Sequence, residues 1–205
     1  MARKPDMGAR GRILEAASGL FAVHGVHAIG LQQIIDQCGC GKNLLYREFT
    51  SKEELVVAYL ERCRENWQRI EGDVAEAHPA DPAAQLLGIV RAVAEQAVAK
   101  GFRGCPLRNA YSEFPDSSTA AHRVIVAYYA DRHAHLRMLA DRAEATDPEV
   151  LADRIALIID GLHANGPVLG RDGAARSAVS FAEEILAAAI RPTDVVRSAD
   201  PKVVR

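Results

Sequence analysis

Residues 30 to 55, GLQQIIDQCGCGKNLLYREFTSKEEL, carry a helical hydrophobic pattern that is cut once, at Gly39-Cys40-Gly41, and then resumes. Leu31, Ile34, Ile35 and Cys38 return at the three- and four-residue steps of one apolar stripe, which predicts a helix from about Leu31 to Cys38 with Gly30 as its N-cap. Glycine accepts the positive backbone angles of a tight reversal and has low helix propensity, so the chain turns at 39–41. A second helix starts near Lys42, with Leu45 and Phe49 one turn apart and inward, Lys42 and Tyr46 in a second row, and Asn43 and Arg47 in a third. Thr50-Ser51-Lys52-Glu53-Glu54 reads as an N-cap followed by acids that match the positive end of a further helix. Two short helices across a glycine turn make a helix-turn-helix.

The outer rows of the second helix carry chemistry suited to a major groove. Lys and Tyr reach phosphate oxygens, while Asn and Arg pair with base edges. At this point the chain resembles the DNA-binding domain of TetR-type bacterial transcriptional regulators. The residues that carry the resemblance are ILEAASGLFAVHG, LQQIIDQCG, LLYREF and SKEEL, and the clear likeness covers about residues 10 to 57. It implies a three-helix DNA-reading domain joined through a long fourth helix to an all-helical ligand-binding and dimerisation domain. GCPLRNAYSEFPD, residues 104–116, is similar to a signature of one branch of that family, where it links the central helices of the ligand domain. The candidate DNA-contact residues are Arg10, Gln32 and Gln33, then Gly41, Lys42, Asn43, Leu44, Tyr46 and Arg47, with Lys52 beyond. The chain departs from the family at Gly30, Gly41 and Leu44, where relatives usually carry Ser or Thr, and at Glu48, where His is common. Operator preference is therefore not transferable from relatives.

Of 205 residues, 49% are hydrophobic and 25% charged, enough for one or two domains with a real core. The net charge of −2 conceals an asymmetry: residues 1–49 hold six Lys or Arg against four acids, and the remainder nineteen against twenty-three. Arg3, Lys4, Arg10 and Arg12 precede or open the first helix, either as a basic arm on DNA or as a solvated tail. No apolar run is long enough for a membrane span and no apolar stretch follows the N-terminal basic residues, so a cytoplasmic chain is expected. Cysteines at 38, 40, 63 and 105 are too few and irregular for a disulfide scaffold, and Cys38-x-Cys40 is a poor zinc pair. Cys38 is read as helix core, and neither metal nor cofactor is expected.

Beyond the reader the pattern is helical throughout, so the expected fold is all-α with about nine helices. Val56, Leu60, Cys63, Trp67, Ile70 and Val74 mark a fourth helix ending before His78-Pro79; Leu86–Lys100 is a fifth; a seventh runs from about Ser117 to Ala145; Pro148 opens the eighth; and Gly173 precedes the ninth. The expected domains are 1–50 for DNA reading and 51–192 for ligand binding and dimerisation, with 193–205 a disordered tail.

Aromatic and polar groups mix among helices four to seven, the usual make-up of a small-molecule pocket, although an aromatic stripe at helical spacing also suits plain core. The ligand candidates are Cys63, Trp67, Phe102, Asn109 and Tyr111, with Phe114, His122, Tyr128 and Tyr129. The resemblance implies that the last two helices pair with those of a second copy, and Ile155, Ile159, Leu162, Phe181, Ile185 and Ala189 are the interface candidates. The expected function is a homodimeric, ligand-responsive regulator of operator DNA, a repressor released by a small hydrophobic or aromatic effector, with no membrane partner. The alternatives are a thiol switch at Cys38 and Cys40, or a small hydrolase built on Cys105 or Ser112 with His122. No nucleophile elbow, HExxH, P-loop or dinucleotide fingerprint supports an enzyme.

Overall fold

The computed structural model describes residues 8–190. Arg3 and Lys4 of the expected basic arm, and the tail after Pro192, lie outside the described residues. Within them the chain forms nine α-helices and no strand. Helices α1 (Gly8–His24), α2 (Leu31–Cys38) and α3 (Lys42–Glu48) make an N-terminal head around Ile13, Ala17, Phe21, Val26, Ile29, Ile34, Leu45 and Phe49, all buried. Gly30 and Gly41 are the N-caps of α2 and α3, and Gly39 ends α2 at φ 62°, the left-handed turn that the break in the pattern required.

The head joins the body through α4 (Lys52–Ala77), whose start is heavily tied. Ser51 Oγ accepts from the Glu54 amide at 3.1 Å, and the Glu54 carboxylate accepts from the Thr50 amide and hydroxyl at 2.8 and 2.9 Å. The backbone bond from Thr50 is the largest of the contacts that hold Glu54 below the usual carboxylate range. Phe21 of α1 meets Tyr59 of α4 edge to face at 5.3 Å, so the head is also packed sideways onto the helix it feeds.

The body comprises α5 (Pro82–Ala97), α6 (Pro106–Tyr111), α7 (Ala120–Arg142), α8 (Pro148–Leu169) and α9 (Ala175–Ala189), with a 3-10 turn at Gly170–Asp172. Helix α8 packs against α5, α7 and α9, while α4 packs against α5, α6 and α7. Several expected boundaries move. Helix α5 starts at Pro82 rather than Leu86, because Asp81 caps the Ala84 amide at 2.9 Å and proline is well placed in a first turn, where its missing N–H has no intrahelical partner. It stops at Ala97 rather than Lys100. Helix α7 runs from Ala120, capped by Thr119, to Arg142, three residues shorter at each end than the hydrophobic pattern suggested. Cys38, expected as plain helix packing, is instead disulfide-bonded to Cys40 across Gly39; the glycine turns the chain back and brings the two α-carbons to 5.3 Å. Both cysteines remain half-buried against the head core. No described helix is long and apolar enough to cross a membrane.

Candidate DNA-reading face and effector cavity

Helix α3 buries Leu45 completely, tucks Leu44 partly against the core, and exposes Lys42, Asn43, Tyr46 and Arg47. The four exposed residues share one short outer surface. The Lys42 ammonium lies 5.9 Å from the centre of the Tyr46 ring, and the Arg47 guanidinium sits 3.0 and 3.2 Å from the Glu48 carboxylate. Other candidates are committed within the head. Gln33 accepts from the Gly30 amide at 2.8 Å as the N-terminal cap of α2, and Gln32 donates to Asp36 at 2.8 Å. Arg10 donates to the Glu48 carbonyl and, at 3.2 Å, to Glu54, with its guanidinium 4.0 Å above the Phe49 ring, so it pins α1 to the α3–α4 junction. Gly41 is exposed and offers α3 only its backbone. Lys52 is half-buried at the start of α4; burial lowers its pKa and the negative charge of Glu113 opposes that.

Glu113, just past α6, reaches into the head. One carboxylate oxygen accepts from the Val26 amide at 3.0 Å and the other from the His27 amide at 2.6 Å, while the Glu113 carbonyl lies 2.7 Å from His27 Nε2. Phe114 lies on the His27 ring at 4.9 Å between centroids. A β-carbon at Gly25 would come within 3.0 Å of the same carboxylate, so a bare backbone is needed for the α1–α2 turn to receive it. The segment 104–116 is thus the clasp between body and head.

Beside this clasp lies a cavity of about 1060 Å³. Phe21, His24, Gly25 and Val26 of the head form one wall; Tyr59, Cys63, Asn66 and Trp67 of α4 form another; the segment from Gly101 to Leu107, with Asn109, Ala110, Glu113, Tyr128 and His163, closes the rest. Trp67 donates to Glu71 at 2.7 Å and meets Tyr128 edge to face at 6.1 Å. Burial pushes the Cys63 thiol up to about 12 and raises the Tyr59 and Tyr128 hydroxyls as well. Burial, aided by the positive charge of Arg132, pushes His163 down to about 4. Thiol, phenol and imidazole are all held neutral at physiological pH.

A second concavity, of about 610 Å³, runs between α8 and α9. It is lined by Leu157, Ile158, Gly161, Leu162, Ala178, Phe181 and Ile185 and is overwhelmingly apolar; Leu157 is 71% exposed and Phe181 54%. Among the described residues there is no group of three or more His, Cys, Asp or Glu able to hold a metal.

Residues 13–59 match the family model described as bacterial regulatory proteins, tetR family. A segment of 64 residues is 44% identical to the HTH-type transcriptional activator FasR of Mycolicibacterium smegmatis, covering 31% of this chain and 29% of that one. The HTH-type regulator YxaF of Bacillus subtilis is 47% identical over 49 residues, 23% of this chain and 26% of that one. The chain therefore aligns with less than a third of the length of these curated relatives. Solved structures extend the likeness. A TetR-family regulator from Streptomyces coelicolor superposes with a TM-score of 0.84 at 23% identity, covering 89% of this chain and 96% of that one, which shows a shared fold. A TetR-type regulator from Streptomyces avermitilis superposes with a TM-score of 0.73 at 31% identity, covering 89% of this chain and 98% of its own. The chain belongs to the TetR family. It is a DNA-binding transcriptional regulator with a helix-turn-helix head and a helical body.

Within that TetR frame the structure sorts the residues expected from sequence. Cys63, Trp67, Phe102, Asn109 and Tyr128 line the cavity. Tyr111, Phe114, His122 and Tyr129 do not. Tyr111 is half exposed beside the His122 ring, His122 Nδ1 lies 2.8 Å from the Phe114 carbonyl, and Tyr129 lies 4.8 Å from the Arg132 guanidinium. The reason is geometric: α6 is under two turns long and presents only one side to the cavity, so Tyr111 falls on the other. On α8, Ile155 and Ile159 are fully buried in their own chain, and the outward stripe passes through Leu157, Gly161 and Asn165 instead. Leu162, Phe181 and Ile185 line the groove, and Ala189 is half-buried beyond it. Sequence reasoning missed Phe21 and His163 as cavity walls because they lie on α1 and α8, outside helices four to seven, and missed Tyr59 because it falls off the Val56–Leu60–Cys63 stripe read for α4. One signal for His163 was legible: Pro167 lies four residues further along the same helix and frees the His163 carbonyl from its helical bond.

Proposed function

We propose that this regulator is a homodimeric repressor released from its operator when a small, largely apolar effector enters the cavity between head and body. The observation that carries this reading is the cavity's position: residues of the DNA-reading head form one wall and residues of the body the rest, so an occupant touches both sides of the joint. A ligand shifts a conformational equilibrium only by its difference in affinity between the two states, and a site spanning a joint has such a difference built in. Glu113, which clasps the α1–α2 turn and also lines the cavity, is the contact through which occupancy is felt. The apolar groove between α8 and α9 supports a twofold partner, as an operator-reading helix-turn-helix uses two half-sites. FasR is named an activator, so the sign of control is a property to be measured in this chain.

The test is direct. Duplexes selected from random sequence by the purified protein supply an operator; a thermal-shift screen of hydrophobic metabolites supplies a ligand, since anything binding the native state raises its stability. A stabilising ligand that leaves operator affinity unchanged rejects effector control. Chemical turnover of that ligand would point instead to an enzyme.

A further inference from the structure

Helix α3 is seven residues long, too short to hold its own shape in water, so its direction is set by what it is fastened to. Leu45 and the C-cap Phe49 are fully buried and fix which side turns inward. The start of the helix is looser, because its N-cap, Gly41, makes no side-chain cap. Two apolar contacts on one side leave the tilt of α3 open, and the tilt decides where Asn43, Tyr46 and Arg47 are carried.

Arg10, in the first turn of α1, removes that freedom. One terminal nitrogen of its guanidinium uses its hydrogens on two acceptors: the carbonyl of Glu48, the last residue of α3, and the carboxylate of Glu54 at 3.2 Å. A helix end leaves such a carbonyl without an intrahelical partner, and a positive charge is favoured there. The guanidinium carbon lies 4.0 Å from the centre of the Phe49 ring, within reach of a cation–π attraction. Glu54 is itself held in the first turn of α4 by the Thr50 amide and hydroxyl. A single side chain from α1 thus ties the end of α3 to the start of α4.

The same ties make Arg10 a poor phosphate contact. Its charge is met by Glu54 and its flat face by Phe49, whereas Lys42 and Tyr46 stand exposed on the outer row of α3. The Arg10 side chain is 50% exposed, and a lone surface ion pair of that kind counts for little. Three contacts joined on one planar, rigid group count for more, and lysine does not reproduce them.

We infer that Arg10 is a positioning residue for operator recognition: it sets the tilt of α3 through the Glu48 carbonyl and Glu54, and so governs base preference without touching DNA. This rests on α3 being the helix that enters the groove. Paired hydrogen bonds to base edges demand a placed helix, while phosphate contacts carry no sequence information and survive a small tilt. The loss of Arg10 therefore falls on specific binding.

The test uses the full chain, an operator duplex selected from random sequence and a scrambled duplex of the same length, with affinities measured over a range of salt concentrations and folding checked by circular dichroism. Arg10→Ala should weaken operator about tenfold, move the scrambled duplex by less than about twofold and leave the salt slope unchanged. Arg10→Lys keeps the charge but not the planar fork, and should share the loss. Glu54→Gln removes a negative charge, which on charge alone would tighten every duplex; its amide can still accept from Thr50 but turns a donor toward Arg10, so operator preference should fall instead. Should the Arg10 variants fail to fold, Glu54→Gln decides. A loss shared equally by both duplexes, a salt slope shallower by about one counterion, or recovery in Arg10→Lys assigns Arg10 to a phosphate and overturns the inference. Unchanged operator preference in the folded variants reduces Arg10 to packing and overturns it too. Asn43→Ala is measured alongside: if it leaves operator preference untouched, α3 is not the reading helix and the premise itself fails.

Discussion

A histidine kept neutral inside the fold makes stability depend on pH in one direction. His163 sits at about 4 when folded against an ordinary 6.5, because burial and Arg132 disfavour its charged form. Between those values the unfolded chain binds the extra proton and the folded one does not, so folding stability falls as pH drops through 6.5 and levels off below 4. From pH 7 to pH 5 this one group should remove about 2 kcal/mol. Urea titrations at both pH values check it: His163→Phe should lose less stability over that interval than the unaltered chain. On the DNA face, Arg47→Ala should change base preference at one operator position, whereas Lys52→Ala should weaken all duplexes alike and flatten the salt dependence by about one counterion. Competition between operator and scrambled duplexes distinguishes the two. Because Glu48 already pairs with Arg47, an Arg47→Ala loss that persists in a Glu48→Gln background assigns it to an arginine–base contact, whereas recovery there assigns it to the unmasked Glu48 charge.

At the scale of elements, the α8–α9 groove separates surface from core within single helices. Leu157 and Phe181 stand out of the chain, while Ile155 is fully buried two residues from Leu157. Leu157→Glu or Phe181→Glu should therefore yield a folded monomer at micromolar concentration, whereas Ile155→Glu should unfold the protein by placing an unpaired charge in its core. Light scattering with circular dichroism tells these apart. The Cys38–Cys40 bond closes only a three-residue loop, so chain-entropy arguments give it about 1.5 kcal/mol at most. Cys38→Ser with Cys40→Ser should accordingly lower Tm slightly and leave operator affinity within about twofold, since neither sulfur lies on the exposed row of α3. The helices of the head were legible in the sequence because glycine, cap and stripe agreed there; α2 begins and ends where the pattern placed it. The ends of α5 and α7 were not, since apolar residues continue past the point where capping side chains stop the helix. The phase of α8 was misread for a similar reason: its most apolar stripe serves its own core, and the outward stripe is diluted by Gly161 and Asn165. Cavity walls such as His163 and Phe21, 142 positions apart in sequence, come together only through the packing of whole helices, which no local pattern encodes.

Among the described residues, head and body meet at the continuous start of α4, along the side of α4 through the Phe21–Tyr59 contact and the Arg62–Glu15 ion pair, and at the Glu113 clasp. The first two hold the head to α4; only the third holds it to the segment that closes the cavity. On the proposed reading, an occupant of the cavity that displaced α6 would pull on the α1–α2 turn through Glu113, and through it on α3. Two recognition helices must stay about 34 Å apart to read successive major grooves, so a small rotation of each head costs operator affinity. Linkage then requires that operator weaken the ligand by the same factor by which ligand weakens operator. With a ligand from the thermal-shift screen, Trp67 emission should change on binding, and the ligand titration should move to higher concentration when operator is present. Glu113→Gln decides whether the clasp carries the signal. Its amide replaces one accepting oxygen with a donor that faces a backbone N–H, so one of the two bonds to the turn is lost while the side chain keeps its size. The variant should still bind ligand within about twofold and still dimerise, yet the factor separating the two titrations should fall at least about fivefold, the loss of roughly 1 kcal/mol of coupling. An unchanged factor would assign the coupling to α4 alone.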